Sequence, residues 1–286
     1  MNGSGKVRRR FGLGRAGIGG RPRPLEGTSR VRGVLIELGR YVEFALRVLA
    51  ALPGSLVRRG GPLLAQFERV AWGSLPVVAA AGFSVGVVTW FQTRRQLAAN
   101  GMQDAMPGML AFAVIVETGP LLASVLVASR MGAGLAAEIG SMNLTEQLEA
   151  QVVLGSPPIS ALFAPRVLAC VLALPLLTIL IDATALLGGM LAESLGGSLT
   201  PRAYALKSLD FLWLRDVVPA TLKPAVFGFL IGTIGCWTGL RAPRSTEGVG
   251  QAATRGVVLA TLAVFFANVL IVPWIQGIVD ALGLTI

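Results

Sequence analysis

Histidine is absent from this chain of 286 residues, and cysteine occurs only twice. The absence of histidine excludes histidine-based acid–base catalysis and most zinc sites. Cys170 and Cys236 both lie within apolar runs, where cysteine behaves as a small apolar residue. We therefore expect no disulfide between them.

Charged residues are also scarce, at 14% of the chain, whereas a soluble domain has roughly 25%. Hydrophobic residues make up 53%, and the mean hydropathy is +0.69. This composition is typical of an integral membrane protein. The length allows one domain with five or six membrane spans.

The net charge of +10 is distributed unevenly along the chain. Residues 1–69 contain 14 of the 25 Lys and Arg residues but only 4 of the 15 acidic residues, so the rest of the chain has no net charge. Nucleic-acid binding is one interpretation of such a basic segment. The other interpretation is a cytoplasmic flank that obeys the positive-inside rule and contacts anionic lipid. The membrane composition of the chain favours this second interpretation. We therefore expect no nucleic-acid partner.

The first 30 residues are rich in Gly, Arg and Pro and have no apolar periodicity, which predicts a disordered basic tail. Gly3 to Lys6 resembles part of a phosphate-binding loop. However, Val7 stands where Ser or Thr would bind magnesium, and no strand precedes the segment. The sequence therefore predicts a chain without catalytic residues, metal or cofactor of its own.

Residues 31–57 have the pattern of an amphipathic helix. Charged residues recur every three or four positions on one side of this segment, namely Glu37, Arg40, Glu43 and Arg47. Four charges are too costly for the centre of a bilayer, at roughly 2.5–3.5 kcal/mol each. The segment is therefore predicted to lie at the membrane interface.

Five later segments are apolar over about twenty residues, the length that crosses a bilayer. These predicted spans are 72–91, 109–128, 162–187, 218–240 and 257–279. In the first span, Gly82 and Gly86 are four residues apart, a spacing that permits close helix packing. The sequence predicts an all-α membrane protein whose basic N-terminus is cytoplasmic and whose C-terminus is outside.

The connection between the second and third spans is polar. A Gly/Ala-rich segment, Met131–Ala137, predicts a turn, and Glu138–Val153 predicts a polar helix outside the bilayer. Because this helix is cytoplasmic in the predicted topology, it is either a solvated connection or a docking surface for another subunit.

Several short motifs lie in and around this connection, within about 50 residues. They are Glu117, Gly119-Pro120, Arg130–Ala133, Ala137–Met142, Thr145–Ala150 and Pro165-Arg166. In these positions the chain resembles the MlaE/YrbE family, the permease subunits of ABC-type lipid transporters that work with MCE proteins.

The resemblance implies a permease subunit for lipid, phospholipid above all, in the inner membrane of a bacterium. Its partners would be a separate ATPase subunit that binds ATP, an MCE-domain protein and a second copy of the chain. The polar helix would then be a coupling helix, with ATPase contacts at Glu138, Gly140, Met142, Thr145, Glu146 and Gln147. A membrane scaffold and a secondary transporter are the alternatives, although the sequence shows neither the inverted repeats nor the relay of charges that the latter requires.

Glu117 lies within the second span, where a carboxylate is costly, and this makes it a candidate lipid-binding residue. The family pattern is Arg-Glu-Leu-Gly-Pro, whereas this chain has Val116 in the position of the arginine. Glu117 would then be neutral, paired with a basic residue, or open to a cavity, and a buried structural hydrogen bond is the alternative to lipid binding. Pro120 is expected to kink the span.

Further candidate positions lie in or next to the other spans. Arg255, before the last span, would bind a lipid phosphate or serve as a positive-inside anchor. Phe83, Val87 and Trp90 of the first span would line a pocket for acyl chains, or face lipid, or belong to the packed core. Asp182 of the third span matches no family motif, and we expect a structural role for it.

Overall fold

A computed structural model describes residues 28–58, 60–196 and 199–281 of the chain. The predicted tail, 1–30, therefore lies outside the described residues except for its last three. All the regular secondary structure in the described ranges is helical. The α-helices are α1 (Thr28–Arg58), α2 (Gly60–Ala99), α3 (Met106–Ala113), α4 (Gly119–Val127), α5 (Ala133–Leu144), α6 (Gln147–Val153), α7 (Ala164–Gly196), α8 (Pro201–Asp210), α9 (Leu214–Leu240) and α10 (Thr246–Ala281).

Five helical stretches in these ranges are long and apolar enough to cross a membrane. They are Gly61–Leu97, Met106–Leu144, Ile159–Gly196, Arg215–Leu240 and Thr246–Trp274. The first four contain the first four predicted spans, and the predicted fifth span, 257–279, lies within α10. The predicted fold class, an all-α membrane protein with five spans, is confirmed.

Helices α2 and α7 pack with their backbones almost in contact. A Cβ atom added at Gly86 would lie 1.9 Å from the Ala185 carbonyl oxygen, and one at Gly82 would lie 2.2 Å from Thr184 Oγ1. The predicted close packing at the two glycines is therefore confirmed. Helix α7 also contributes to the buried core along its length, with Ala173, Leu174 and Leu177 almost fully buried.

The second membrane-length stretch is one long helical rod with two π-helical turns, Val114–Thr118 and Ala128–Gly132. The predicted turn at Met131–Ala137 is wrong, because the helix continues through it to Leu144. Glycine serves close packing here, since a Cβ at Gly256 of α10 would lie 2.5 Å from the Gly132 carbonyl oxygen. Alanine and leucine, which occupy much of this segment, are strong helix formers.

The predicted polar helix Glu138–Val153 is divided in two. Helix α5 ends at Leu144, and Glu146 adopts a left-handed conformation (φ 59°) before α6 begins at Gln147. Thr145 Oγ1 donates a hydrogen bond to the Ser141 carbonyl in the last turn of α5. We call residues 138–155 the polar end of the molecule.

Helix α1 packs beside the polar end. Tyr41 donates or accepts a hydrogen bond with Thr233 (2.9 Å), and the Phe44 ring packs edge-on against Phe163 at 5.4 Å between centroids. On its other side, Glu43 and Arg47 pair at 2.5 Å. The apolar side predicted from the sequence remains exposed, and its residues are Leu35, Leu38, Val42, Leu46 and Leu49.

Candidate functional site

The first candidate site is built around Pro120, on the second membrane-length stretch. Proline has no N–H, so the carbonyl of Val116, four residues earlier, lacks its usual helical donor. The ammonium of Lys223 lies 3.4 Å from this carbonyl oxygen and 2.9 Å from Glu117 Oε2. A single cation therefore contacts both this carbonyl and the carboxylate beside it.

Three helices meet at Glu117. Lys223 comes from α9, and Asn268 of α10 donates its side-chain N–H to Glu117 Oε1. The Lys223 side chain is 2% exposed, whereas that of Glu117 is 45% exposed. One side of the carboxylate is thus fixed by protein, and the other side is open to a ligand, to lipid or to water.

This geometry settles one question that the sequence left open. Glu117 is paired with a basic residue, although not with the arginine that the family pattern places before it. Sequence reasoning missed Lys223 and Asn268. The signal for Lys223 was available, because a lysine inside an apolar span is by default functional and has an acidic partner nearby.

Asp182 of α7 approaches the residue before Pro120. Its carboxylate lies against Gly119, where a Cβ atom would be 1.8 Å from Asp182 Oδ1. Asp182 is buried, and Oδ1 has no hydrogen-bond partner among the described residues. Glycine at position 119 is therefore required by the closeness of α7.

The second candidate site is the polar end, and its predicted ATPase contacts differ in exposure. Glu138 forms ion pairs with two residues of the same chain, Arg166 at 2.7 Å and Arg69 at 3.3 Å. Gly140 is buried against Ala242, and Met142 is half-buried beside Arg166. The ion pair between Glu138 and Arg166 thus joins two motifs that are separate in the sequence.

The other three predicted contacts, Thr145, Glu146 and Gln147, are exposed around the break between α5 and α6. Two apolar residues outside the predicted contacts are also strongly exposed, Val153 at 86% and Leu154 at 82%. An apolar pair at the end of a polar helix was the available signal. Because this pair lies at the polar end and not on a membrane span, it is a candidate contact surface.

The remaining predicted lipid-binding residues do not join Glu117. Trp90 is buried, and its indole N–H donates to Glu193 at 2.7 Å, while Val87 packs in the same cluster and Phe83 is exposed on α2. Arg255 is exposed near the start of α10, about 20 Å along the helix from Asn268 at 1.5 Å per residue.

Comparison with known proteins identifies the family. Residues 63–273 match the family model described as Permease MlaE. The chain belongs to the MlaE permease family. The match contains both candidate sites and begins after α1.

Individual members of the family align over most of their length. A probable ABC transporter permease protein of Synechocystis is 36% identical over 238 residues, which cover 82% of this chain and 89% of the relative. A probable ABC transporter permease protein of Rickettsia typhi is 33% identical over 209 residues, covering 73% and 81%. The intermembrane phospholipid transport system permease protein MlaE of Haemophilus influenzae is 30% identical over 210 residues, covering 73% and 80%.

Proposed function

We propose that this chain is the permease subunit of an ABC-type phospholipid transporter in a bacterial inner membrane. A separate ATPase subunit supplies the energy, an MCE-domain protein exchanges lipid on the outer side, and two copies of the chain form the membrane unit. Membership of the MlaE family and the phospholipid transport system named for the Haemophilus relative support this proposal.

One structural observation carries the proposal. The helical rod that holds Glu117 within the membrane continues to Leu144 at the polar end. After the break at Glu146, α6 and the residue that follows it expose Gln147, Val153 and Leu154. A short exposed helix directly attached to a span is suited to dock in a groove of an ATPase. Movement of α6 would then reach the intramembrane carboxylate through the same rod.

The basic N-terminal flank supports a cytoplasmic position for the polar end. Fourteen Lys and Arg residues precede residue 70, and positive flanks remain on the cytoplasmic side. Helix α1 would then lie at the cytoplasmic interface, with its exposed leucines in lipid. Lipid would bind between the two copies, beside the open side of Glu117.

Co-purification tests the proposal. The tagged chain is purified in mild detergent from cells that express its natural partners, and the associated proteins and lipids are identified by mass spectrometry. We expect an ATPase with a Walker motif, an MCE-domain protein and bound phospholipid. Leu154→Glu should reduce the recovered ATPase about tenfold or more, the effect of about 1.4 kcal/mol of lost binding energy.

Leu195→Glu is the matched control. Leu195 is 81% exposed at the far end of α7, away from the polar end, so this variant should retain the ATPase. Absence of any ATPase from the wild-type sample in several detergents would contradict the proposal and favour a membrane scaffold. Equal loss with both variants would show that α6 is not the docking surface.

A further inference from the structure

A five-residue turn, Arg241–Ser245, joins α9 to α10 and lies against the break between α5 and α6. Arg244 in this turn binds two acidic residues, with Nη1 at 3.2 Å from Glu146 and Nη2 at 2.6 Å from Glu149. The guanidinium is a rigid planar fork whose donors fit two acceptors at once. Arg244 therefore holds both Glu146, at the break, and Glu149, in the first turn of α6, in position against the turn.

Helix α6 depends on such contacts. It has only seven residues, and a helix of that length is not stable in water by itself. Glu146, just before it, has the left-handed backbone conformation that residues other than glycine seldom adopt. Within α6 only Leu148 is buried, so the contact of Arg244 adds to a small packed surface in holding the position of the helix.

The same turn is also fastened to α5. The buried side chain of Asn143 donates to the carbonyl oxygens of Leu240 (3.3 Å) and Ala242 (3.4 Å). Carbonyls at the end of a helix such as α9 have no partner within the helix. Asn143 and Arg244 therefore attach the turn to the chain on both sides of Glu146.

The helices that leave this turn carry the intramembrane contacts of Glu117. Lys223 lies 17 residues before Leu240 on α9, about 25 Å along the helix axis, and Asn268 lies on α10. Both bind the Glu117 carboxylate. Because α9 and α10 are continuous helices between the turn and these residues, we expect a displacement of the turn to reach both side chains.

We propose that Arg244 is a positioning residue, which fastens α6 to the α9–α10 turn. A movement that a docked ATPase imposes on α6 then reaches Lys223 and Asn268 as well as the rod that holds Glu117. The fastening itself is independent of the proposed function, whereas the transmission rests on it, and the two are measured separately.

Hydrogen exchange measures the fastening without any partner. The purified chain in nanodiscs is compared with Arg244→Gln, Arg244→Lys and Arg241→Gln. Arg241 lies in the same turn but pairs with Glu37 and stacks on Trp237, so it is the matched control. In Arg244→Gln we expect the amides of residues 147–155 to exchange roughly fivefold faster, since an exposed ion-pair network is lost.

The lysine variant distinguishes positioning from simple charge. Lysine reaches one carboxylate as a point charge but cannot hold two in a fork. Arg244→Lys should therefore give an exchange rate between those of the wild type and Arg244→Gln. Exchange in α7 should be unchanged in all variants, which shows that the fold is intact.

Transport per ATP hydrolysed measures the transmission. The complex that co-purifies with each variant is reconstituted in vesicles with a fluorescent phospholipid, and lipid transfer and ATP hydrolysis are recorded together. Arg244→Gln should lower the ratio of lipid moved to ATP hydrolysed roughly threefold to tenfold. Arg241→Gln should leave the ratio unchanged.

Each outcome decides a separate statement. Unchanged exchange in Arg244→Gln would overturn the fastening, and faster exchange with an unchanged transport ratio would overturn the transmission. If the wild type brings down no ATPase, the proposed function fails, and the exchange result still decides whether Arg244 positions α6.

Discussion

The ammonium of Lys223 binds Glu117 at 2.9 Å and the Val116 carbonyl at 3.4 Å, so one lysine compensates both a carboxylate and a carbonyl whose helical donor is replaced by Pro120. The position of Pro120 and the presence of a lysine on α9 are consequently two parts of one arrangement. A change at either is expected to affect the other.

Removing one partner of this pair should cost more than removing both. Glu117→Gln leaves the buried Lys223 ammonium without its anion and should lower the free energy of unfolding by about 3 kcal/mol. Lys223→Gln leaves a half-exposed carboxylate and should cost less. The double variant should recover part of the loss seen with Glu117→Gln, because no unpaired charge remains. Thermal unfolding in one detergent measures all three variants.

Lys207→Gln is the control for this cycle. Lys207 pairs with Asp104 at the surface, where the Asp104 side chain is 87% exposed. Its loss should change stability by less than about 1 kcal/mol. Additive effects of Lys223→Gln and Glu117→Gln would contradict the pairing.

The contact between α2 and α7 should not tolerate a methyl group. Gly86→Ala places a Cβ atom 1.9 Å from a backbone oxygen of Ala185, and such overpacking costs about 1–3 kcal/mol. Gly134→Ala, where nothing lies within 4 Å, should instead stabilise the helix by up to about 1 kcal/mol. Melting temperatures of the two variants should therefore move in opposite directions.

Two of the predicted ATPase contacts, Glu138 and Gln147, should have different effects when they are changed, one on stability and the other on ATPase binding. Glu138→Gln removes the partner of the buried Arg166 and should lower the melting temperature. Gln147→Ala changes an exposed side chain and should weaken ATPase binding with the melting temperature unchanged. Both variants are measured by melting and by the amount of ATPase recovered. A stable Glu138→Gln protein would show that its ion pair is dispensable.

A change at Trp90 should lower the stability of the fold and leave lipid binding unchanged. Trp90→Phe keeps an aromatic ring but loses the hydrogen bond to Glu193, at a cost of about 1–3 kcal/mol for a buried carboxylate contact. The phospholipid bound to the purified chain should be unchanged in amount and kind. Loss of lipid at unchanged stability would restore the acyl-pocket interpretation.

The five spans could be predicted from the sequence because apolar runs of membrane length leave few alternatives. The turn at Met131–Ala137 was wrong because glycine was interpreted as a breaker of the helix. Gly132 instead allows a neighbouring backbone to approach, which depends on α10 and is not visible in the local sequence.

The candidate site was predicted only in part, for the same reason. Glu117 was found because a carboxylate inside a span is conspicuous by itself. Its partners lie more than 100 residues away on α9 and α10, and only the packing of three helices brings them together. Trp90 shows the converse, since its aromatic character suggested a pocket while its contacts place it in the core.

The π-helical turn at Ala128–Gly132 has a consequence for the length of the chain between Glu117 and the polar end. Such a turn amounts to one extra residue accommodated within an α-helix, and each residue rotates the helix by about 100°. Deleting one residue there would leave an unbroken α-helix and nearly keep the direction of α6 relative to Glu117, because the π-helical turn absorbs that residue. Deleting one residue from the regular helix α4 would instead turn α6 by about that angle, which makes the spacing between the two sites as important as the side chains.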